Sequence, residues 1–406
     1  MARVLDFQKH PSIGDSCNSS LRLMFCMTMT IIVAGTIGRS GLGGQAWATL
    51  QYLLGLRALG HEIVYLEDCG RSSWVYVWEK EDWTHELDYP AAYVRDCLEP
   101  FGLGDRWIYR DNYRSLGLPL EKLLDFCSRA DLLLMRAAPF WNWRREYERP
   151  RRRAFMDVDP GFTQIAIANG DAGLAQGIAR AERRFTYAQR FGAEDCAIPA
   201  AGGPWLKTRP PIFLPEWPVA DSAATHFTSV MRWQGFKEVV HQGIRYGQRD
   251  KEFPRYFDLP RRTPQKFLIA QMGVKPELLT QHGWEVALGE VVSRTPQLYR
   301  EFIQQSRAEF SVPKNGYVAM RGGWFSDRSV CYLASGRPVV IEDTGLGDWL
   351  PVGEGLLTFH DPEGALRCVE TVNRDYELHC QAARRVAQEH FATDKVLPVL
   401  LEAAMN

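Results

Sequence analysis

Short apolar runs alternate with amphipathic stretches along most of this 406-residue chain. Residues 30–34 (TIIVA), 131–135 (DLLLM) and 339–341 (VVI) are almost wholly apolar, which is typical of parallel strands covered on both faces. Stretches with helical periodicity lie between such runs, for example residues 45–59 and 120–129. This alternation predicts an α/β fold built on doubly wound parallel sheets.

Proline and glycine suggest a division into two halves. Residues 201–218 are rich in both, which is typical of a semi-rigid linker. We therefore predict an N-terminal Rossmann-like domain over residues 29–215 and a C-terminal one over residues 216–390. Residues 391–406 are predicted to form a last helix that packs back toward the N-terminal domain. The polar residues 1–28 are predicted to be a disordered extension.

Composition narrows the class of protein. The formal net charge of −1 gives no electrostatic reason to expect nucleic acid or an anionic membrane as a partner. The nine cysteines are scattered without a C-x-x-C pair, which favours free thiols in a reducing cytoplasm over disulfides or a zinc site. No apolar run reaches the roughly 18–20 residues that a membrane-spanning helix needs. We therefore expect a cytoplasmic protein without a metal site or a transmembrane segment.

A glycine-rich stretch, RGGWFSDRSVCYLASGRPVVIE over residues 321–342, predicts a loop, a short helix and a buried strand. Ser326 and Asp327 are good residues to begin the helix, Gly336 ends it and Pro338 prevents its continuation. The first turn of such a helix presents unpaired N–H groups and the positive end of the helix dipole. With hydroxyl and guanidinium groups beside it, this turn is a candidate site for a diphosphate.

Two segments carry a family resemblance. ASGRPVV at residues 334–340 ends the predicted helix as A-x-G-x-P-V-V. LRALGHEI at residues 56–63 lies downstream of an earlier glycine-rich loop, residues 35–44, which we call the first glycine-rich loop. Both resemble segments of GT-B glycosyltransferases, whose two Rossmann-like domains face a cleft. The resemblance implies metal-independent transfer of a sugar from a nucleotide-diphosphate sugar to an acceptor, which is a small molecule, a glycan or a lipid. The nucleotide sugar is then a co-substrate, and no cofactor is expected.

The resemblance also implies roles for particular residues. The donor diphosphate would be held by the first glycine-rich loop, one strand end and the helix N-terminus, through Gly38, Arg39, Arg232, Ser326, Asp327, Arg328 and Ser329. The donor sugar would be contacted by the residues that follow the strand after that helix, namely Asp343, Thr344 and Gly345.

Asp159 is the candidate catalytic residue. It ends a predicted strand, and ligands of open α/β sheets bind at the carboxyl ends of the strands. Such a carboxylate would accept the proton that the acceptor hydroxyl loses. Lys314 and Tyr317 are expected to line the donor site, and Lys251 is a second basic candidate beside Arg232.

Other functions stay open at this point. A sugar-nucleotide epimerase on the same fold would need carboxylates in the cleft but no acceptor site. A non-catalytic nucleotide-sugar-binding relative is a further alternative, because Cys331 stands where many family members have a glutamate that holds the ribose. The glycine spacing of residues 35–44 departs from G-x-G-x-x-G, which disfavours an NAD-dependent oxidoreductase.

Overall fold

The structure, a computed structural model, describes residues 28–71, 74–77, 80, 82–137, 140–221, 223–235 and 237–406. The disordered extension predicted over residues 1–28 lies outside these residues, except for residue 28 itself. In the described part, two mostly parallel sheets follow one another along the chain. The α/β fold class predicted from the hydrophobic pattern is therefore confirmed.

The first sheet begins in its middle and grows outward in both directions. The strands of this half are β1 (Thr30–Ala34), β2 (Glu62–Gly70), β3 (Val75–Val77), β4 (Asp82–Thr84), β5 (Trp107–Asp111), β6 (Ser115–Gly117), β7 (Leu132–Met135), β8 (Arg152–Asp157), β9 (Arg183–Thr186) and β10 (Leu206–Lys207). The sheet has the order β10-β9-β8-β7-β1-β2-β5-β6, in which β6 is antiparallel to β5 and the other pairs are parallel. Strands β3 and β4 form a separate antiparallel hairpin.

Helices cover the first sheet. They are α1 (Ile37–Ser40), α2 (Gly43–Ala58), α3 (Asp88–Leu98), α4 (Leu120–Arg129), α5 (Phe162–Ala168) and α6 (Ala172–Ala179). The connection between β1 and β2 is thus a glycine-rich loop with one short helix, followed by the long helix α2. This is the βαβ unit that the sequence predicts for this region.

The second sheet repeats the plan. Its half contains β11 (His226–Arg232), β12 (Val239–His241), β13 (Ile244–Tyr246), β14 (Lys266–Met272), β15 (Glu285–Leu288), β16 (Ala308–Ser311), β17 (Val339–Glu342) and β18 (Leu356–Phe359). The sheet has the order β15-β14-β11-β16-β17-β18 with all pairs parallel, and β12 and β13 form a hairpin. Residues 208–225 connect the two sheets. The domain boundary at 215–216 stays a prediction.

The helices of the second half include the one predicted from the glycine-rich stretch. They are α7 (Arg249–Glu252), α8 (Glu277–Thr280), α9 (Gly289–Val292), α10 (Pro296–Gln304), α11 (Asn315–Met320), α12 (Asp327–Ala334), α13 (Pro362–Arg374), α14 (Tyr376–His390) and α15 (Thr393–Met405). None of the helices in the described residues is both long and apolar enough to cross a membrane.

Successive residues of the central strands pack on opposite faces of a sheet. In β1, Ile31 and Val33 belong to one core cluster, whereas Ile32 and Ala34 belong to another. This arrangement explains why the strand is apolar at consecutive positions, since both of its faces are buried. The cluster that contains Ile31 and Val33 continues into the second half. The two halves therefore share part of their apolar core.

The last helix, α15, lies on the first half although it follows the second sheet. Ile212 donates its N–H to the Phe391 carbonyl (2.8 Å) and accepts the Thr393 N–H (3.0 Å). Thr393 and Leu397 pack directly against Gly55 of α2. A Cβ added to Gly55 would lie 2.5 Å from the methyl group of Thr393. The end of the chain thus ties the two halves together by backbone bonds and by close packing.

The two halves also meet beside the first glycine-rich loop. Gly43 donates its N–H to the Ser293 carbonyl (2.5 Å), and Gly44 donates its N–H to the Ser293 hydroxyl (3.1 Å). A Cβ on Gly43 would lie 2.2 Å from the Thr295 carbonyl oxygen, so a larger residue would force the backbones apart. The N-terminus of α2 is therefore bonded to the other half of the protein.

We expect Gly43→Ala to lower the free energy of unfolding by about 1–3 kcal/mol, the usual cost of overpacking a tight contact. It should also widen the cleft, which small-angle scattering would detect as a larger radius of gyration. Gly104→Ala is the matched control, because a Cβ there would lie at an ordinary 3.5 Å from its nearest neighbour. Equal stability and equal size of the two variants would contradict the role assigned to Gly43.

Candidate functional site

A cavity of about 1030 Å³ lies between the two halves. In the first sheet the strand order reverses between β1 and β7, and ligands of open α/β sheets bind outside the carboxyl ends of strands at such a reversal. Thr36 follows β1, Arg136 follows β7, and both line the cavity. The volume is at the upper end of the range of about 300–1,000 Å³ for ligand pockets. The cavity is therefore large enough to hold a ligand.

The second sheet contributes its own reversal point, which lies between β11 and β16. Arg232 ends β11, Lys314 lies shortly after β16, and both line the same cavity. Arg249 of α7 joins these two strand ends: its Nε donates to the Val312 carbonyl (2.9 Å) and its Nη1 donates to the Arg232 carbonyl (3.1 Å). Burial and the nearby charge of Arg328 lower the pKa of Arg249 to about 10. The side chain is thus charged at neutral pH.

The N-terminus of α12 reaches the cavity through Ser326, Asp327 and Arg328. The Ser326 hydroxyl accepts the Arg328 N–H (3.2 Å), which makes it the N-cap that the sequence predicts. Asp327 lies 3.9 Å from Arg136 of the first half. Burial raises the pKa of Asp327, although the charge of Arg136 opposes the shift.

The guanidinium group of Arg328 is fully engaged inside the second half. It donates to the Glu309 carboxylate (2.5 Å), the Val230 carbonyl (2.7 Å) and the Ser311 hydroxyl (2.7 Å). These bonds fix α12 to the ends of two neighbouring strands. The side chain therefore positions the helix, and its charge is balanced by a buried carboxylate.

Basic groups outnumber acidic groups around the cavity. The described residues that line it include Arg39, Arg136, Arg232, Arg249, Lys314 and Arg328 on the basic side and Asp159 and Asp327 on the acidic side. Three of the basic groups have carboxylate partners, in the pairs Arg136–Asp327, Lys314–Asp159 and Arg328–Glu309. The other three, Arg39, Arg232 and Arg249, have none among the described residues. The cavity is therefore suited to an anionic ligand.

Asp159 forms a bridge across the cleft. Lys314 donates to its carboxylate (2.8 Å), and the Tyr317 hydroxyl donates to the same oxygen. Burial alone would raise the pKa of Asp159, but the charge of Lys314 and these hydrogen bonds bring it below its usual value. Asp159 therefore ties the two halves together inside the cavity. The catalytic role predicted for Asp159 stays a prediction.

Solved structures share this architecture. An alpha-glucosyltransferase in complex with UDP and a 13-mer DNA containing an HMU base matches 94% of this chain and 100% of its own length, with a TM-score of 0.58 and 12% identity. HepE of Anabaena in complex with UDP-glucose matches 92% of this chain and 98% of its own, with a TM-score of 0.52 and 13% identity. The chain has the GT-B fold. No family model and no curated protein matches the sequence.

In this GT-B fold, backbone N–H groups of the first glycine-rich loop are already hydrogen-bonded to a carboxylate of the protein itself. The N–H groups of Gly38 (2.8 Å) and Arg39 (2.7 Å) and the Tyr65 hydroxyl (2.6 Å) all donate to buried Glu67. A Cβ on Gly38 would lie 2.8 Å from the Pro90 carbonyl oxygen. Gly38 thus packs inside the first half and does not offer its N–H to the predicted diphosphate. The Arg39 side chain does line the cavity.

Four further predicted donor contacts are not among the residues that line the cavity, namely Ser329, Asp343, Thr344 and Gly345. The Ser329 hydroxyl is buried and has no hydrogen-bond partner in the described part of the chain. Thr344 donates its hydroxyl to the Trp324 carbonyl (2.7 Å), and Asp343 accepts the Leu346 N–H (2.9 Å). These polar groups are engaged within the second half. A contact between residues 343–345 and a donor sugar stays a prediction.

Sequence reasoning missed two arginines of the GT-B cavity. Arg136 directly follows a predicted strand, so its position at a strand end was a usable signal. Arg249 is separated from β11 by the β12–β13 hairpin, and only the folded chain brings it to the strand ends. Lys251, considered as a second basic candidate, lies outside the cavity and pairs with Glu238 (3.4 Å).

Within the described residues, no group of three or more His, Cys, Asp or Glu side chains is arranged to hold a metal ion. Lys314 and Tyr317, which the sequence places at the donor site, do line the cavity.

Glu67 gives the first glycine-rich loop a pH dependence that can be measured. Burial raises its pKa from 4.5 to about 7, so between these values the folded state binds more protons than the unfolded state. Stability contributed by this group is therefore lost as pH rises from about 4.5 to about 7. We expect the difference in unfolding free energy between the wild type and Glu67→Gln to fall over this window and to be constant above pH 8.

Glu62→Gln is the matched control on the same strand. A hydrogen bond and charge from Arg129 lower the pKa of Glu62, so its contribution is complete above the unfolded pKa and should not change between pH 5 and 8. Urea unfolding at several pH values would measure both differences. A flat profile for Glu67→Gln would contradict a neutral, buried Glu67 at low pH.

Proposed function

We propose that this protein transfers a sugar from a nucleoside diphosphate sugar to the hydroxyl group of an acceptor. The observation that carries the proposal is the pair Arg232 and Arg249. Both guanidinium groups stand at the reversal point of the second sheet, line the cavity and lack a carboxylate partner among the described residues. Guanidinium groups bind phosphate oxygens in a bidentate geometry.

The burial of Arg249 strengthens this argument. Among the described residues no carboxylate forms an ion pair with Arg249, whose guanidinium group donates to two backbone carbonyls, although the charges of Glu309 and Asp159 act on it from farther away. An anionic ligand in the cavity would place negative charge next to this buried group. A diphosphate fits this requirement, because Arg232 and Arg249 approach it from neighbouring strand ends.

The solved structures support the choice of donor. The alpha-glucosyltransferase structure is a complex with UDP, and the HepE structure is a complex with UDP-glucose. Sequence identity to either protein is low, so the likeness does not identify the nucleotide base or the sugar of the donor that this protein uses. UDP and UDP-glucose are therefore the first ligands to test.

The chemistry explains why positive charge is needed at this place. In the transfer, the bond between the anomeric carbon and the diphosphate oxygen breaks, and its electron pair leaves with the diphosphate. The acceptor oxygen forms a bond to the same carbon and loses its proton. Arginines fixed where negative charge develops stabilise the transition state more than the ground state. We propose that these side chains take this role without a metal ion.

Ligand binding tests the proposal directly. A panel of UDP, TDP, GDP and ADP, their sugar conjugates and NAD should contain a nucleoside diphosphate that raises the melting temperature of the wild type. Binding at a hundredfold excess over Kd adds about 2.7 kcal/mol of stability. We expect Arg232→Met and Arg249→Met each to weaken that binding at least tenfold, because each removes one phosphate contact.

Lys251→Met is the matched control. It removes a positive charge from the same short helix as Arg249, but from the exposed side that pairs with Glu238, and should leave binding unchanged. Stabilisation only by NAD, or by no nucleotide, would contradict the proposal. Tight nucleotide binding without transfer or hydrolysis of any sugar conjugate would favour the non-catalytic alternative.

A further inference from the structure

Three tryptophan side chains stand half exposed on the first-half side of the cavity. Trp74 directly precedes β3 and Trp83 lies within β4 of the same hairpin; they are 51% and 49% exposed, and Trp141 is 56% exposed. Trp83 and Trp141 line the cavity directly. Large apolar side chains that cluster in contact with water mark binding surfaces more often than isolated ones do.

The rings of the hairpin present flat faces. Trp74 and Trp83 are nearly parallel, with 5.5 Å between ring centroids and 8° between planes. Tyr76 meets Trp83 edge-on at 5.5 Å and 71°, which restricts the tilt of the indole. A rigid indole face is a good surface for a flat or gently curved ligand, because few rotamers must be fixed on binding.

One buried carboxylate anchors the part of this surface that contains Trp141. The Asp68 carboxylate, close to the end of β2, accepts hydrogen bonds from Arg144 Nε (2.5 Å) and Nη2 (3.0 Å) and from the Tyr147 hydroxyl. The Asn142 amide donates to the Asp68 carbonyl (2.8 Å). The segment that bears Trp141 is thus tied to the strand from which the hairpin departs. The segment that bears Trp141 is therefore held in place before any ligand arrives.

The neutral polar groups of the same wall indicate what the tryptophans bind. Thr36, Ser40 and Gln45 line the cavity on the first-half side, and they offer hydroxyl and amide groups without charge. Aromatic faces combined with neutral hydrogen-bonding groups match a sugar ring, which has apolar C–H faces and a rim of hydroxyl groups. An acyl chain would require an enclosed aliphatic channel, whereas these rings are open to water.

We propose that the acceptor is a saccharide, and that one of its rings stacks on Trp83 while its hydroxyl groups bond to neutral polar side chains of the same side, such as Thr36, Ser40 and Gln45. This inference rests on the proposed function, since it names the acceptor for the same transfer. The oxygen of the reacting saccharide hydroxyl bonds to the anomeric carbon of the donor as the bond from that carbon to the diphosphate oxygen breaks, and the hydroxyl proton passes to solvent water. The nucleoside diphosphate leaves toward Arg232 and Arg249 on the opposite wall.

An array of defined oligosaccharides, probed with the full-length labelled protein together with the nucleoside diphosphate found above, tests the proposal. Calorimetry on the best saccharide then compares the wild type with Trp83→Ala, Trp83→Tyr and Tyr113→Ala. Tyr113 is the matched control, because it is an aromatic residue 84% exposed that does not line the cavity. We expect Trp83→Ala to raise the saccharide Kd at least tenfold, and the other two variants to change it less than threefold.

The nucleoside diphosphate Kd should be the same in all four proteins, which separates loss of stacking from misfolding. If the wild type binds a nucleoside diphosphate but no saccharide, the saccharide proposal fails and the proposed function stands. A saccharide Kd that Trp83→Ala leaves unchanged, or a preference for duplex DNA or phospholipid vesicles over every saccharide, would also overturn it. If no nucleoside diphosphate binds, the proposed function fails first.

Discussion

Bonds that cross from one half of the chain to the other hold the carboxyl edges of both sheets against a single cavity. Gly43 and Gly44 bond to Ser293 at one side, and Asp159 bonds to Lys314 and Tyr317 within the cavity wall. Neither sheet alone would form the site, because each contributes only its own reversal point. The position of every cavity side chain therefore depends on these ties.

The same ties determine the charge of the cavity. Asp159 and Asp327 each neutralise one basic group of the opposite half. These two basic groups therefore hold the halves together and attract an anionic ligand less strongly. Among the described residues, two of the three lining arginines without a carboxylate partner, Arg232 and Arg249, belong to the second half, and the third, Arg39, belongs to the first. Most of the unpaired positive charge therefore lies on the second-half side, where we propose that the anionic part of a substrate binds. The aromatic and neutral polar groups are left for the other substrate.

Most of the central strands and the helices between them could be predicted from the sequence. Parallel strands that are buried on both faces produce short, continuous apolar runs, which are easy to recognise. The helix predicted after Ser326 begins at Asp327, and the strand predicted at 339–341 spans Val339–Glu342. The two hairpins were missed. Strands β3, β4, β12 and β13 have three residues each, which is too short for period-two alternation to stand out.

The site was less predictable than the fold, and for a physical reason. A residue next to a strand end, such as Arg232, can be placed from the strand pattern alone. Arg249 reaches the same strand ends only through tertiary contacts with Val312 and Arg232. The sequence also does not reveal that the backbone N–H groups of a loop are already hydrogen-bonded to a carboxylate. Glu67 lies in a strand 29 positions after Gly38, and its bonds to the loop appear only in the folded chain.

The glycines of the first glycine-rich loop show how the contacts that hold the two halves together affect ligand recognition. Glycine-rich loops at strand ends usually let the backbone approach a phosphate, but here Gly43 approaches the second half and the N–H of Gly38 is taken by Glu67. Because these N–H groups are engaged within the protein, we propose that binding of an anion falls to side chains, chiefly Arg232 and Arg249. Guanidinium groups recognise phosphate oxygens whatever base or sugar is attached. Selectivity for the remaining parts of the substrates must therefore come from the rest of the cavity wall, including Trp83.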